Sequence, residues 1–434
     1  MFHRMAVPIN LKGQQSPVPA HSPRVLKGDH YPGDEVLIDP VPVHIIRAHY
    51  KKFMKIILFV LLVVWTSSST GCTFLQGKNE IEEASTGEFK TAAQFGPSDE
   101  YSTKSERPLY RVWYGTNRKP LDNADLTEGF SSHRDKVLHY GNVIVYVPES
   151  HQFGSTGSSW ASRVVRLTDD RLKIEQINPL SQDEFLAELN GALMRNRPKK
   201  RRVLLYIHGY NCDFDEAVIR AAQMGYDLKV EGVTAVYSWP SKGNWSPWGY
   251  EADQTTIESS EDFLAEFATK LALESKAEEV DIIAHSMGNR ALLRAVNALA
   301  AAMGQARKKL GQIILAAPDV DADVFSKLAT IYPTVSSRTT LYTSTKDLAL
   351  QASAFFHQYD RAGFYPPIML IPGIDTVQVS NVELTLLGHS YYAQAGTVLN
   401  DMFDLIHDNK EPNKRIRLYP RPSKENTKYW EIAP

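Results

Sequence analysis

The stretch that most restricts the fold is Val280-Asp281-Ile282-Ile283-Ala284-His285-Ser286-Met287-Gly288-Asn289. An apolar run of β type leads straight into a turn of small residues around a serine. Behind it, Ala291, Leu292, Ala295, Val296 and Leu299 recur with helical period. Strand, tight turn and helix with a serine at the apex is the setting in which a hydroxyl becomes a nucleophile. Such a turn holds its serine in a strained backbone conformation at the top of a sheet. The N–H of Met287 opens the helix and points where negative charge would develop. The usual pattern is Gly-x-Ser-x-Gly; Ala284 takes the first glycine's place and is still small. The competing reading is a serine that merely caps a helix.

The same alternation surrounds this stretch. Val112–Arg118 reads as a strand entering a turn, and Val143–Val147, Val164–Leu167 and Leu172–Ile177 as further strands. Ser181 and Glu184 have capping-box spacing, with Phe185, Leu189, Ala192 and Leu193 on one helical face. The basic run Arg195–Arg202 reads as a solvated loop. The unbroken apolarity of Val203–Ile207 suits a strand buried on both faces; it ends in His208-Gly209-Tyr210-Asn211. An amphipathic helix follows, capped by Asp213 and running from Phe214 to Leu228. Then come a strand at Val233–Trp239, an aromatic loop from Pro240 to Tyr250, and a helix from Phe263 to Leu271. Beyond the serine, strands recur at Ile313–Ala317, Thr339–Thr343 and Thr376–Val379. Strand and helix in alternation predict an α/β fold, a mostly parallel central sheet with helices on both faces.

The termini read differently. Residues 1–53 are rich in Pro, His and Gly without a period, and are expected to be a non-native or disordered extension. Met54-Lys55, the apolar run Ile56–Trp65 and a small-residue stretch ending at Cys72 describe a lipoprotein-type export signal over 54–72. The run falls short of the ~20 apolar residues that span a bilayer. Ser69 stands where such signals usually carry an aliphatic residue. On this reading translation starts at Met54 and Cys72 is lipidated. Thr73, rather than Asp, after the cysteine resembles proteins sorted to the outer membrane, facing the periplasm. Residues 73–108 are polar and read as a tether, residues 109–407 as the folded domain, and residues 408–434 as a polar peripheral tail. Two cysteines far apart make neither a disulfide framework nor a zinc site, and a net charge of −2 gives no case for nucleic acid.

Sheets of this kind carry their sites at the carboxyl ends of the strands. Ser286 follows one strand, Asp347 a later one and His389 a later one still, the chain order of α/β-hydrolases. His389 would take the serine proton, and Asp347 would orient the imidazole. With 13 histidines in the chain, His357 is a rival, set in an apparently helical stretch. Asp319, Asp321 and Asp323 follow an earlier strand and are rivals for the acid; Asp319 is otherwise expected to bond loop backbone near the site. The oxyanion donors would be the N–H groups of Met287 and Tyr210. His208 is expected to hold its turn, and Cys212 to pack. Trp239, Trp245, Trp248 and Tyr250 either line an acyl pocket or pack their loop on the sheet.

Trp113-Tyr114-Gly115-Thr116-Asn117-Arg118, His208-Gly209-Tyr210-Asn211, Ser238-Trp239-Pro240-Ser241, Ala284-His285-Ser286-Met287-Gly288-Asn289, Ala317-Pro318-Asp319-Val320-Asp321, Asp347 and Gly388-His389-Ser390-Tyr391 occur together. The set resembles a bacterial family of α/β-hydrolases of unknown function, esterase- or lipase-like, over roughly Leu109–His407. The resemblance implies a Ser-Asp-His hydrolase of Ser286, Asp347 and His389, with no metal or organic cofactor. The expected reaction is hydrolysis of a small-molecule carboxylic ester through an acyl-enzyme. The alternatives are thioester, amide or acyl-transfer chemistry on the same triad, or a lipid-anchored scaffold without chemistry.

Overall fold

The computed structural model describes residues 108–157, 170–242, 247–304, 310–344, 350, 353, 359–379, 392–423 and 427–432. Cys72 with its export signal, the tether up to residue 107, the strand expected at Val164–Leu167, and Trp245, Asp347, His357 and His389 lie outside the described residues.

Among the described residues, eleven strands form one sheet. In chain order they are β1 (Leu109–Pro120), β2 (Phe130–Tyr146), β3 (Lys173–Leu180), β4 (Arg202–Ile207), β5 (Gly232–Ser238), β6 (Glu279–His285), β7 (Leu310–Ala316), β8 (Ser336–Ser344), β9 (Ile374–Val379), β10 (Leu418–Pro422) and β11 (Lys428–Ile432). The spatial order is β10-β11-β9-β8-β7-β6-β4-β5-β1-β2-β3. Every pairing from β11 across to β1 is parallel; β2, β3 and β10 join antiparallel.

The helices are α1 (Gln182–Met194), α2 (Phe214–Asp227), α3 (Pro247–Glu258), α4 (Glu261–Thr269), α5 (Gly288–Met303), α6 (Ala322–Leu328), α7 (Tyr332–Val335) and α8 (Tyr392–Asp408). The central strands β4 to β7 are buried along almost their whole length because both faces are covered. Along β4, Val203, Leu205 and Ile207 pack with α1, α4 and α5, while Leu204 and Tyr206 pack with α2 and α8. The starts of α1 and α2 follow from their caps. Ser181 and Asp213 each close a capping box, with Glu184 and Glu216.

Three segments differ from expectation. β1 runs on through Arg118 to Pro120 instead of turning, paired with a β2 that begins at Phe130. The stretch read as an aromatic loop contains the start of α3, with Pro247 at its first position, where the missing N–H costs no hydrogen bond. The C-terminal residues read as a peripheral tail supply β10 and β11, which extend the sheet beyond β9. Ile432 is buried there, and the guanidinium of Arg415 is buried against Asp401 at 2.5 Å. In the basic run, Arg202 enters β4 and pairs with Glu279 and the buried Asp281.

Candidate active site

From β4 the chain passes to β5 on one side, then returns to place β6 on the other. The crevice at such a switch point lies outside the strand ends. Ser286 follows the last residue of β6 there, half-buried. Its φ is +48°, a left-handed conformation that costs a residue with a Cβ about 1–2 kcal/mol. The surroundings hold it in place. The Ser286 N–H donates to the Ala316 carbonyl at 2.9 Å. The Ser286 carbonyl accepts from the N–H groups of Asn289 and Asp319, each at 3.1 Å, and from Asn289 Nδ2 at 3.1 Å. Asn289 Nδ2 also reaches the Ala284 carbonyl at 3.0 Å, tying strand to helix across the turn. Gly288 has no room for more: a Cβ there would lie 2.5 Å from the His208 carbonyl oxygen.

Met287 is buried and immediately precedes α5, so its N–H is one of the groups a helix leaves unpaired. Tyr210 lies in the loop after β4. That loop passes against the serine, for a Cβ on Gly209 would stand 3.0 Å from Ser286 Cβ. The structure therefore brings together Ser286, Met287 and the Tyr210 loop. His208 holds the loop. Its ring stacks on Trp239 at 4.9 Å, Nδ1 faces the Gly209 carbonyl at 2.9 Å and Nε2 faces the Trp239 carbonyl at 3.1 Å. Burial, then the nearby Arg118 charge, push its pKa down to about 3. The ring is neutral at physiological pH, so one of its two nitrogens carries the N–H and donates to the carbonyl it faces. Trp239 is fully buried and donates Nε1–H to the His208 carbonyl at 2.9 Å, so it packs the loop rather than lining a pocket. Cys212 is buried and its thiol is pushed up by that burial, which suits packing.

Asp319 follows β7, and its carboxylate turns to side chains rather than to loop backbone. Tyr250 Oη donates to it at 2.5 Å and Ser353 Oγ at 2.7 Å. Arg290 and Arg361 flank it at 3.6 and 3.5 Å. Burial raises its pKa, but the two guanidinium groups and the two hydroxyls outweigh this and leave it lowered. Asp321 caps α6 through the N–H groups of Asp323 and Val324. β8 and β9 run parallel to β6 and end at Ser344 and Val379, on the same carboxyl side of the sheet as Ser286 and before Asp347 and His389 in the chain.

Asn289 belongs to the serine motif, but its bonds across the turn, the role of Arg290 and the pairing of Tyr250 with Asp319 are visible only in the fold. Tyr250 sits on α3, edge-on to Tyr210 with centroids 5.5 Å apart, and accepts from Arg290 Nη2 at 3.0 Å. Their position marks them in the sequence: Asn289 and Arg290 fall in the first turn after the serine, where side chains reach back over the elbow. Among the described residues no group of His, Cys, Asp or Glu is arranged to hold a metal ion.

A family model described as an α/β-hydrolase of unknown function (DUF900) matches residues 181–407. No curated protein matches. Among solved structures, an uncharacterized protein from Bacillus cereus aligns with 15% identity and a TM-score of 0.32, covering 50% of this chain and 62% of its own.

Proposed function

The chain belongs to the α/β-hydrolase family DUF900, and from that premise we infer that it hydrolyses carboxylic esters with Ser286 as nucleophile. The observation that carries this reading is the conformation of Ser286, φ +48°, held by donors from Asn289 and Asp319. An ordinary helix cap has no use for that strain. His389 takes the hydroxyl proton as Oγ attacks the ester carbonyl. The oxyanion is met by the N–H groups of Met287 and Tyr210. The C–O bond breaks, the alkoxide leaves with the proton from His389, and water then releases the acid from the acyl-enzyme by the same steps. Asp347 orients the imidazole. The choice of Asp347 over Asp319 is supported by the latter's commitment to Tyr250, Ser353 and two arginines.

The body is held at the outer membrane, facing the periplasm, by lipid on Cys72, with residues 73–108 as the tether. The signal-like run before that cysteine supports this. Growth with a palmitate analogue should label the wild type and leave Cys72→Ser unlabelled; label retained in the variant rules the anchor out.

Hydrolysis is tested with p-nitrophenyl esters of graded acyl length. The expected result is turnover by the wild type and none above background by Ser286→Ala. Equal rates in the two would overturn the reading.

A further inference from the structure

Two of the motifs read from the sequence offer no group to the reaction: Gly115-Thr116-Asn117-Arg118 and Ser238-Trp239-Pro240-Ser241. They converge on the oxyanion loop from behind. The guanidinium of Arg118, wholly buried, donates from Nη2 to the Cys212 carbonyl at 2.8 Å and from Nη1 to the Ser241 carbonyl at 3.2 Å. Its Nε donates to Ser238 Oγ at 2.8 Å. Ser241 Oγ accepts from the Cys212 N–H at 3.1 Å and donates to Asp253 Oδ2 at 2.5 Å. Asp253, on α3 and also wholly buried, accepts from the Lys242 N–H at 2.8 Å and from the Asn211 N–H.

We propose that Arg118 and Asp253, bridged by Ser241, are positioning residues that hold the Tyr210 N–H in place for the oxyanion; this rests on Ser286 being the nucleophile. The Asn211 N–H, the Cys212 N–H and the Cys212 carbonyl are each assigned to one member of this bridge. Asn211 sits at φ +54° and needs such external support. On its other side the loop touches Ser286 through Gly209. The Tyr210 amide is therefore held between the bridge and the nucleophile. Burial pulls Arg118 down to about 10, still protonated at neutral pH, and pushes Asp253 up. Neither charge is left isolated: Arg118 donates to the Cys212, Ser241 and Ser131 carbonyls and to Ser238 Oγ, and Asp253 accepts from Ser241 Oγ and two loop N–H groups. Lysine cannot replace the arginine, since its donors radiate from one atom and cannot span Cys212, Ser238 and Ser241 together.

A loosened bridge costs binding of the oxyanion but not of the ground-state ester, so kcat should fall with KM little changed. The experiment compares wild type, Arg118→Lys and Asp253→Asn in p-nitrophenyl butyrate hydrolysis and in inhibition by an alkylboronic acid, whose Ser286 adduct mimics the tetrahedral state. Folding is checked by a cooperative melt. The expected result is a kcat lowered about 100-fold, the size of one lost oxyanion donor, with boronate affinity falling in parallel. If either variant does not fold, Ser241→Ala, which removes one hydroxyl from the bridge, takes its place with the same expected pattern. Folded variants with unchanged kcat, or with lowered kcat and wild-type boronate affinity, overturn the proposal. A wild type that neither turns over the ester nor binds the boronate overturns the Ser286 reading instead, which separates the two failures.

Discussion

Ser286 and Asp319 share a hydrogen bond yet have opposite requirements. The serine must keep its hydroxyl reachable, so the protein fixes its backbone and leaves the side chain half-buried. The aspartate is fixed through its carboxylate, surrounded by two hydroxyls and two guanidinium groups. Asp319→Asn would leave Arg290 and Arg361 without their counter-charge, an expected loss of about 3–5 kcal/mol of stability, read from chemical denaturation. Asp347→Asn should leave the denaturation curve in place and lower kcat by up to about 10⁴-fold. The reverse pattern would make Asp319 the acid. Ser286 is legible in the sequence because its neighbours along the chain dictate its geometry. The role of Asp319 is not, because Tyr250, Ser353, Arg290 and Arg361 meet it only after folding.

At the scale of elements, the elbow works through close approach. α5 lies so near the loop after β4 that Gly288→Ala would drive a methyl into the His208 carbonyl, and backbone cannot give way as a flexible side chain can. Loss of both stability and ester turnover is expected, measured by a thermal melt and initial rates; a variant with wild-type values of both would contradict this packing. β4 is readable from sequence because burial on both faces goes with the unbroken apolar run Val203–Ile207. β10 and β11 lack that signal. β10 is a sheet-edge strand that carries Pro420 and Pro422, and most of its side chains are exposed. α3 is hidden for a different reason: Pro247 and Gly249 in its first turn look like loop residues. Removing residues 410–434 should uncover the β9 edge and lower the unfolding midpoint in urea; an unchanged midpoint would make those strands ornamental to stability.

At the scale of the whole molecule, stability should depend on pH through His208. Its folded pKa of about 3 lies below the unfolded value of 6.5. As pH falls below 6.5 the unfolded chain takes up a proton that the folded chain refuses, so the folded state loses about 1.4 kcal/mol per pH unit until the folded pKa is reached. Urea unfolding at pH 7.5 and pH 4 should show this fall in the wild type and a shallower one in His208→Asn. Equal slopes would mean that the imidazole is not held neutral. The lowered Asp319 acts in the same direction, contributing stability above the unfolded carboxylate pKa that is lost as pH drops through its folded value.

The carboxyl ends of the parallel strands carry the Ser286 elbow and the Tyr210 loop, and β8 and β9 end on that same side, before Asp347 and His389 in the chain. The most direct test of the account is the fate of a fluorophosphonate. Wild-type protein treated with the reagent should gain a single phosphonyl adduct, mapped by peptide mass spectrometry to the Ser286 Oγ, and Ser286→Ala should gain none. A well-folded wild type that takes up no reagent, or an adduct that persists in Ser286→Ala, would contradict it.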